Sequence, residues 1–229
     1  MPKPKKSSYD LSKKFSFDSI ENFDSHISTH IRDYDRLRAT ILGIADNFII
    51  DGKRVYDIGC STGALIKSLD KKFPNRKAEY IGIDINYNFA KEFEDSDTIK
   101  FNKADITRGY NYTDASLVIS LFTLQFIDPK SRLNVLDSIA NSLDTGYGFI
   151  IAEKVYPSSA FTYKILEGAS LDHKLETVSP EEVFNKENSL RDIMRPSLAT
   201  DLERELKSRF SSVEPIWVCY NFRAYLCVK

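Results

Sequence analysis

Three acidic residues stand at positions where a parallel β-sheet would present them to a ligand. Asp57, Asp84 and Asp105 each end or follow a hydrophobic segment. The three segments are predicted strands, over 54–58, 79–83 and 99–102. The carboxyl ends of parallel strands meet at one edge of the sheet, so we expect the three carboxylates to lie close together. A carboxylate such as Asp84 can accept hydrogen bonds from both hydroxyls of a ribose, which neutral groups match poorly.

The turn after Asp57 is the second candidate feature. The residues from Val55 to Ala64 predict a strand, a tight turn and the start of a helix. Gly59 permits a close backbone approach that a Cβ would block. Ser61 can cap the following helix, whose first amides would point at the turn. Alone, this turn fits an ordinary strand-to-helix connection equally well, but three acids at successive strand ends favour a small-molecule site.

The pattern of glycines indicates which nucleoside ligand would fit. A dinucleotide-binding turn has Gly-x-Gly-x-x-Gly around a pyrophosphate. Here Ser61 occupies the place of the second glycine before Gly63, and Asp57 would repel a pyrophosphate. These features disfavour an NAD-dependent oxidoreductase and favour an amino acid attached to a nucleoside. We expect Asp57 and Gly63 to be among the residues that bind this ligand, Asp57 by ordering the loop or by accepting from the ligand ammonium. Asp105 would then reach an exocyclic amine of a purine, while the amide of Ile106 would donate to a ring nitrogen.

The elements that must position these residues follow an α/β pattern. Strands and helices alternate from Arg54 to Ala152, which predicts parallel βαβ units. A mostly helical insertion follows the fifth strand over about 157–196, and two strands close the chain over 213–220 and 222–228. Their connection is too short for a crossover helix and therefore predicts an antiparallel hairpin. We expect a seven-stranded, mostly parallel sheet with an antiparallel last strand.

Before the first strand, the sequence predicts a basic, flexible tail over 1–14, ahead of one domain over 15–229. Two helices are predicted there, over 19–32 and 36–48. The lysines of the tail could contact RNA phosphates, although a solvated tail is the simpler explanation. The formal net charge of the chain is −1, so no global field indicates nucleic acid or an anionic membrane as a partner.

Composition narrows the class further. The 229 residues are 42% hydrophobic and suit one soluble α/β domain. No apolar run is long enough to span a bilayer. The three cysteines, Cys60, Cys219 and Cys227, fall in predicted strands or at the turn, which predicts a reducing cytoplasm. Neither they nor the three histidines are spaced like a metal site.

Four sequence pieces together resemble a known family. They are Val55–Ser61, Phe122–Phe126, Glu153–Lys154 and Trp217–Phe222. The first resembles class I S-adenosylmethionine (SAM) methyltransferases in general, and the others narrow the resemblance to the carboxy-SAM synthase family. That resemblance implies a Rossmann-like class I methyltransferase fold, a homodimer, and SAM, S-adenosylhomocysteine or carboxy-SAM as the bound molecule. It also implies a carboxyl unit taken from prephenate and used to modify the wobble uridine of tRNA.

The resemblance assigns cofactor contacts to positions of this chain. They are Tyr34 from the amino-terminal segment, Gly59, Cys60 and Ser61 along the methionine part, Asp84 and Ile85 at the ribose, and Asp105 and Ile106 at the adenine. Phe122 and Tyr34 could face the sulfonium. Two positions depart from the family. Leu121 replaces an Asn that contacts the cofactor, and Glu187 replaces an Arg that pairs with the added carboxylate.

These departures leave several functions open. Lys186, Arg191 or Arg195 could replace the missing Arg. We expect a SAM-dependent methyltransferase or a divergent carboxy-SAM synthase. The alternative is a catalytically inactive protein of the same fold that acts through a protein or RNA partner. The sequence identifies no catalytic residue, and Glu153, Lys154 and His173 are only candidates for a general base.

Overall fold

The structure is a computed structural model that describes Ile27, residues 29–91, Phe93 and residues 96–229. The tail predicted over 1–14 and most of the helix predicted over 19–32 lie outside the described residues. The described part contains six α-helices: α1 (Tyr34–Ala45), α2 (Ala64–Lys72), α3 (Pro129–Ser142), α4 (Ala160–Leu175), α5 (Pro180–Leu190) and α6 (Ala199–Lys207). In this part of the chain, no helix combines the length and hydropathy needed to cross a membrane.

The described residues form one mixed sheet. Its strands are β1 (Arg54–Ile58), β2 (Glu79–Asp84), β3 (Ile99–Lys103), β4 (Ala115–Leu121), β5 (Gly148–Tyr156), β6 (Ser197–Leu198), β7 (Ser212–Cys219) and β8 (Phe222–Val228). They lie in the order β3-β2-β1-β4-β5-β8-β7, and β6 pairs with β5 outside this path. Strands β1 to β5 are mutually parallel, whereas β8 is antiparallel to both β5 and β7. The predicted α/β fold with an antiparallel last strand is confirmed.

Two hydrophobic layers sandwich the sheet, because successive side chains of a strand point to opposite faces. Val55 of β1 joins the layer formed by α1 and α2, where Leu37 and Leu69 are fully buried. The neighbouring Tyr56 joins the layer formed by α3 and α6, with Ile139 and Leu206. Both faces of β1 are therefore covered, as expected for a central parallel strand.

Three details differ from the sequence prediction. Strand β5 continues to Tyr156, beyond the predicted end at Ala152, because β8 pairs with it as far as Lys154 and the short β6 pairs with its last residues. β6 raises the number of strands to eight. The segment between β2 and β3, where the α/β pattern predicts a helix, forms a 3₁₀ helix over Tyr87–Lys91. The longer β5 brings the helical insertion to the same sheet edge as the three acids.

Candidate functional site

One cavity of about 880 Å³ opens at the carboxyl edge of β1, β2 and β4. Eleven of the twelve residues predicted to bind the cofactor line it: Tyr34, Asp57, Gly59, Cys60, Ser61, Asp84, Ile85, Asp105, Ile106, Leu121 and Phe122. Gly63 does not line it. The opposite wall comes from β5, α4 and α5. The structure therefore brings together residues that are far apart in the sequence, at the edge where open parallel sheets bind ligands.

The turn after β1 is shaped by close backbone contacts. Gly59 has φ 70°, and its amide donates to the carbonyl of Ile83 at 2.7 Å. A Cβ at this position would collide with the side chain of Thr123. That side chain cannot easily move, because its hydroxyl donates to the carbonyls of Ile58 (3.0 Å) and Leu121 (3.1 Å). Only glycine fits where β1 and β4 approach each other below the cavity.

The structure corrects the predicted role of Ser61. Gly63, with φ 74°, precedes α2 as its N-cap residue, and no side chain caps this helix. Ser61 itself adopts a left-handed backbone with φ 52°. Its hydroxyl is buried and has no hydrogen-bond partner among the described residues. A buried polar group without a partner costs free energy, and one that lines a cavity can recover it from a ligand.

Asp84 holds the turn from the end of β2. Its Oδ2 accepts from the amide of Ser61 at 3.0 Å, and its Oδ1 accepts from the amide of Asn86 at 2.8 Å. Burial raises its pKa, and these backbone hydrogen bonds oppose the rise. A carboxylate oxygen can accept more than one hydrogen bond, so Asp84 can order the loop and still accept from a ligand hydroxyl.

Asp57 is the most deeply buried acid of the cavity, with 4% of its surface exposed. Burial, followed by the negative charge of Asp84, raises its pKa to about 8, while the charge of Arg38 acts in the opposite direction. A cationic group placed beside Asp57 would favour its ionised form. Its environment therefore suits a ligand that brings a positive charge.

Asp105 combines two roles, of which the sequence indicated one. It lines the cavity, and its Oδ1 accepts from the amide (3.0 Å) and the hydroxyl (2.6 Å) of Thr107. Its Oδ2 lies 3.2 Å from Nε of the exposed Arg108. The hydrogen bond from the Thr107 side chain is the largest cause that lowers the pKa of Asp105. Asp105 is thus ionised and caps the 3₁₀ turn that carries Ile106.

A row of aromatic rings joins the turn to the opposite wall. The ring of Tyr34 lies 6.2 Å from that of Phe122, which packs edge-to-face on Phe222 at 5.7 Å. Phe122 has φ 56°, an uncommon conformation for a bulky residue that tends to occur at functional sites. The Nζ of Lys154 lies 6.0 Å from the Phe222 ring centroid. The row gives a cation in the cavity several π-faces to contact.

The insertion brings basic side chains to the far wall. Lys174 is paired with Glu187 at 3.0 Å. Burial, followed by the charge of Lys174, lowers the pKa of Lys186 to about 7. Lys186 and Arg191 line the cavity. Arg195 pairs instead with Asp128, 3.2 Å away, and is not among the lining residues.

Of the three candidate general bases, one lines the cavity and two do not. Glu153 accepts from the backbone amides of Thr123, Leu124 and Gln125 at 2.8–3.2 Å and does not line the cavity. It therefore supports the loop after β4, and burial raises its pKa to about 8. His173 lies 3.4 Å from Glu176 and is also absent from the lining. Lys154 does line the cavity.

Sequence reasoning missed several lining residues of the insertion, including Tyr163, Glu167 and Lys174. Their sequence signal is weak, because α4 turns Ser170 and Lys174 inward while apolar residues such as Phe161 remain exposed. A helix with polar groups on its inner side gives no hydrophobic stripe that would indicate its orientation. Within the described residues, no cluster of three or more His, Cys, Asp or Glu side chains could hold a metal ion.

Comparisons with known proteins agree with this geometry. Residues 55–146 match the family described as a methyltransferase domain. Carboxy-S-adenosyl-L-methionine synthase from Staphylococcus epidermidis is 31% identical over 216 residues, which cover 92% of this chain and 94% of that protein. The synthase of the same name from Nitratiruptor sp. is 32% identical, and the match covers 100% of this chain and 99% of that protein.

The structure also resembles human N-acetylserotonin methyltransferase, which was solved in complex with SAM. The TM-score is 0.57 at 18% identity, over 84% of this chain and 51% of that one. This similarity shows the fold alone. The structural comparison shows a methyltransferase fold. The identity and the extent of the two synthase matches show that this chain belongs to a family of enzymes, the carboxy-S-adenosyl-L-methionine synthase family.

Proposed function

We propose that this chain is a SAM-dependent one-carbon transferase that forms carboxy-SAM from SAM and prephenate. The single observation that carries the proposal is the division of charge in the cavity. Asp57, Asp84 and Asp105 line one end, whereas the opposite wall carries Lys154, Lys174, Lys186 and Arg191. Two lining carboxylates of that wall, Glu167 and Glu187, are paired with Lys154 and Lys174, so the remaining charge there is positive. An acidic end suits a ligand with a sulfonium and an ammonium, and a basic end suits a carboxylate.

The residues present fit SAM. Among the described residues, the buried Ser61 hydroxyl at the cavity wall has no hydrogen-bond partner, and Gly59 forms a backbone cradle that a Cβ would fill. Asp84 would accept from the ribose hydroxyls, Asp57 would face the ammonium, and Asp105 with Ile106 would hold the adenine. When bound, SAM would supply a methyl group whose protons the neighbouring sulfonium acidifies, so that the methyl carbon can lose a proton and bond to the carbon dioxide released from prephenate, which leaves phenylpyruvate and water. Tyr34 and Phe122 would offer their rings to that cation.

The other side chains of the cavity orient the second substrate. Lys174 neutralises Glu187 at 3.0 Å, so the glutamate at the family's arginine position does not face a ligand as an isolated negative charge. Lys186 and Arg191 would then attract a carboxylate to the same end of the cavity. Leu121 leaves the cofactor without the side-chain hydrogen bond that an asparagine would provide. Holding both reactants in one enclosed space is itself a large part of such catalysis.

Purified protein incubated with SAM and prephenate should yield carboxy-SAM, identified by intact mass. A reaction without prephenate is the control. If SAM binds by calorimetry but carboxy-SAM does not form, the synthase function is excluded. Formation of S-adenosylhomocysteine with an added acceptor would then indicate a plain methyltransferase. SAM binding without any turnover would indicate an inactive binding protein, for which Leu121 and Glu187 are the motivating substitutions.

We also propose a homodimer formed through the helices that follow β5. Phe161 and Ile165 of α4 and Phe184 of α5 are 75%, 55% and 61% exposed. A surface helix ordinarily turns such residues inward, and exposed apolar patches commonly mark protein interfaces. Light scattering should give twice the chain mass, and the double substitution Phe161→Ser/Ile165→Ser, which leaves the cavity lining unchanged, should give a monomer. A monomeric unsubstituted protein would contradict the proposal.

The cellular location and the use of the product are inferred from the family resemblance. We propose a cytoplasmic enzyme whose product is used to modify the wobble uridine of tRNA. The lysines within residues 1–14 offer a possible contact to RNA phosphates. Tests are the carboxymethoxyuridine content of tRNA in cells that lack the protein, and salt-dependent tRNA binding with and without residues 1–14. Unchanged values in both tests would contradict the link.

A further inference from the structure

A single carboxylate, Glu167, connects three elements at the far wall of the cavity. Its Oε1 lies 3.2 Å from Nζ of Lys154, at the exit of β5. Its Oε2 accepts from Nδ2 of Asn221, in the turn between β7 and β8, at 2.9 Å. Burial, followed by the charge of Glu167, raises the pKa of Tyr163 to about 12. Glu167, Lys154 and Tyr163 all line the cavity.

Hydrogen bonds and packing hold both the backbone and the side chain of Lys154. Its amide donates to Oε1 of Gln125 at 2.9 Å, and the residue pairs with Phe222 across β5 and β8. Its side chain is only 11% exposed, and Nζ lies at the end of the aromatic row formed by Tyr34, Phe122 and Phe222. An ammonium has three donors, and Glu167 takes one of them.

Asn221 orients the Glu167 carboxylate as well as linking α4 to the sheet. Its side chain is 1% exposed, and its Oδ1 has no hydrogen-bond partner among the described residues. The amide is therefore oriented so that Nδ2 serves Glu167, at the cost of an unsatisfied oxygen. A carboxylate held by a buried amide keeps its position, and a lysine paired with it loses the freedom of its long side chain.

We propose that Lys154 contacts the carboxylate of the second substrate and that Glu167, held by Asn221, is a positioning residue that keeps Lys154 in place. This inference rests on the proposed function, because the second substrate is the prephenate of that reaction. Lys154 lines the cavity, with its Nζ 6.0 Å from the ring centroid of Phe222, in the aromatic row that also contains Phe122 and Tyr34. It is therefore placed to orient the carboxylate next to the reacting carbon.

Calorimetry tests this by titrating prephenate into the complex with S-adenosylhomocysteine. The variants are Lys154→Gln, Lys154→Arg and Glu167→Gln. The matched control is Glu79→Gln, which removes the charge of an exposed ion pair with Arg54, 2.7 Å away and outside the cavity. Loss of a charged hydrogen bond should weaken prephenate binding about ten-fold or more in Lys154→Gln. In Glu167→Gln, which can still accept a hydrogen bond from Asn221, we expect the affinity for prephenate to fall about three- to ten-fold.

The Lys154→Arg variant keeps the cation and should therefore lose less prephenate affinity than Lys154→Gln, although the larger planar guanidinium does not reproduce every contact of the ammonium. S-adenosylhomocysteine affinity should stay near the unsubstituted value in every variant, whereas the melting temperature should fall in Lys154→Gln and Glu167→Gln, because each variant breaks a largely buried ion pair. Unchanged prephenate affinity in Lys154→Gln would overturn the inference. A parallel loss of both affinities in Glu167→Gln would show a structural role and would overturn it too.

The same titrations separate this inference from the proposed function. If the unsubstituted protein binds prephenate through Lys154 but forms no carboxy-SAM, the proposed function fails while the inference stands. If carboxy-SAM forms equally well in Lys154→Gln and in the unsubstituted protein, the function stands and the inference fails. Absence of prephenate binding in the unsubstituted protein also overturns the inference.

Discussion

Replacing Asp84 with alanine is expected to weaken SAM binding by about a hundred-fold or more. Two hydrogen bonds from ribose hydroxyls to a carboxylate contribute about 1.5–3 kcal/mol each. The same substitution removes the acceptor for the amides of Ser61 and Asn86, so the turn that cradles the ligand is also loosened. Both effects act in the same direction, which makes this the largest loss of affinity expected from a single lining side chain.

Calorimetry with SAM measures the effect, and two further variants interpret it. Asp84→Asn retains an acceptor oxygen for one of the two backbone amides while losing the charge, so it should lose less affinity than Asp84→Ala. Glu79→Gln, at the opposite end of the same strand, removes an exposed charge and should bind as the unsubstituted protein does. Unchanged SAM affinity in Asp84→Ala would show that the ligand site has been assigned to the wrong residues.

Replacing Gly59 with alanine should lower the free energy of unfolding by about 3 kcal/mol. The positive φ of 70° costs an alanine about 1 kcal/mol, and the collision of its Cβ with Thr123 adds about 1–3 kcal/mol of overpacking. The turn must shift to relieve the contact, so SAM affinity should fall as well. Chemical denaturation and calorimetry measure the two effects.

Gly146→Ala is the matched control, because Gly146 also has a positive φ, 88°, but nothing lies within 4 Å of its Cβ position. Its free energy of unfolding should fall by only about 1 kcal/mol, the cost of a positive φ in an alanine. Adding Thr123→Ala to Gly59→Ala should recover part of the steric cost, as a positive coupling in a double-mutant cycle. Equal losses in Gly59→Ala and Gly146→Ala would contradict the close contact between the β1 turn and Thr123.

The local signals of the sequence predicted much of this edge of the sheet. The strand containing Asp57 and the strand ending in Asp84 lie where the hydrophobic segments and acids indicated. Asp128 and Pro129 begin α3 as an acidic cap followed by a proline in the first turn, and the Asp128 carboxylate accepts from the amide of Lys130. Such signals are local, because a cap or a strand end depends on a few neighbouring residues.

Ser61 shows where local reasoning fails. A serine before a helix usually caps it, but here the turn contains three left-handed residues, Gly59, Ser61 and Gly63, and the last of them takes the cap position. The buried hydroxyl of Ser61 is thereby left without a hydrogen-bond partner in the described part of the chain. Neither the direction of that turn nor its contact with Thr123 can be read from spacing, because both depend on how closely β4 approaches β1.

By itself, the sequence determined the α/β class, the antiparallel end of the sheet, the acids at the cavity and the family. These features depend on periodicity, short-range turns and motif resemblance. Only the tertiary structure decided that Glu153 supports a loop, that Glu187 is neutralised by Lys174, and that Glu167 holds Lys154 beside Phe222. Charge pairs between distant elements depend on which side of α4 and α5 faces the sheet, and these helices carry no hydrophobic stripe that would indicate it.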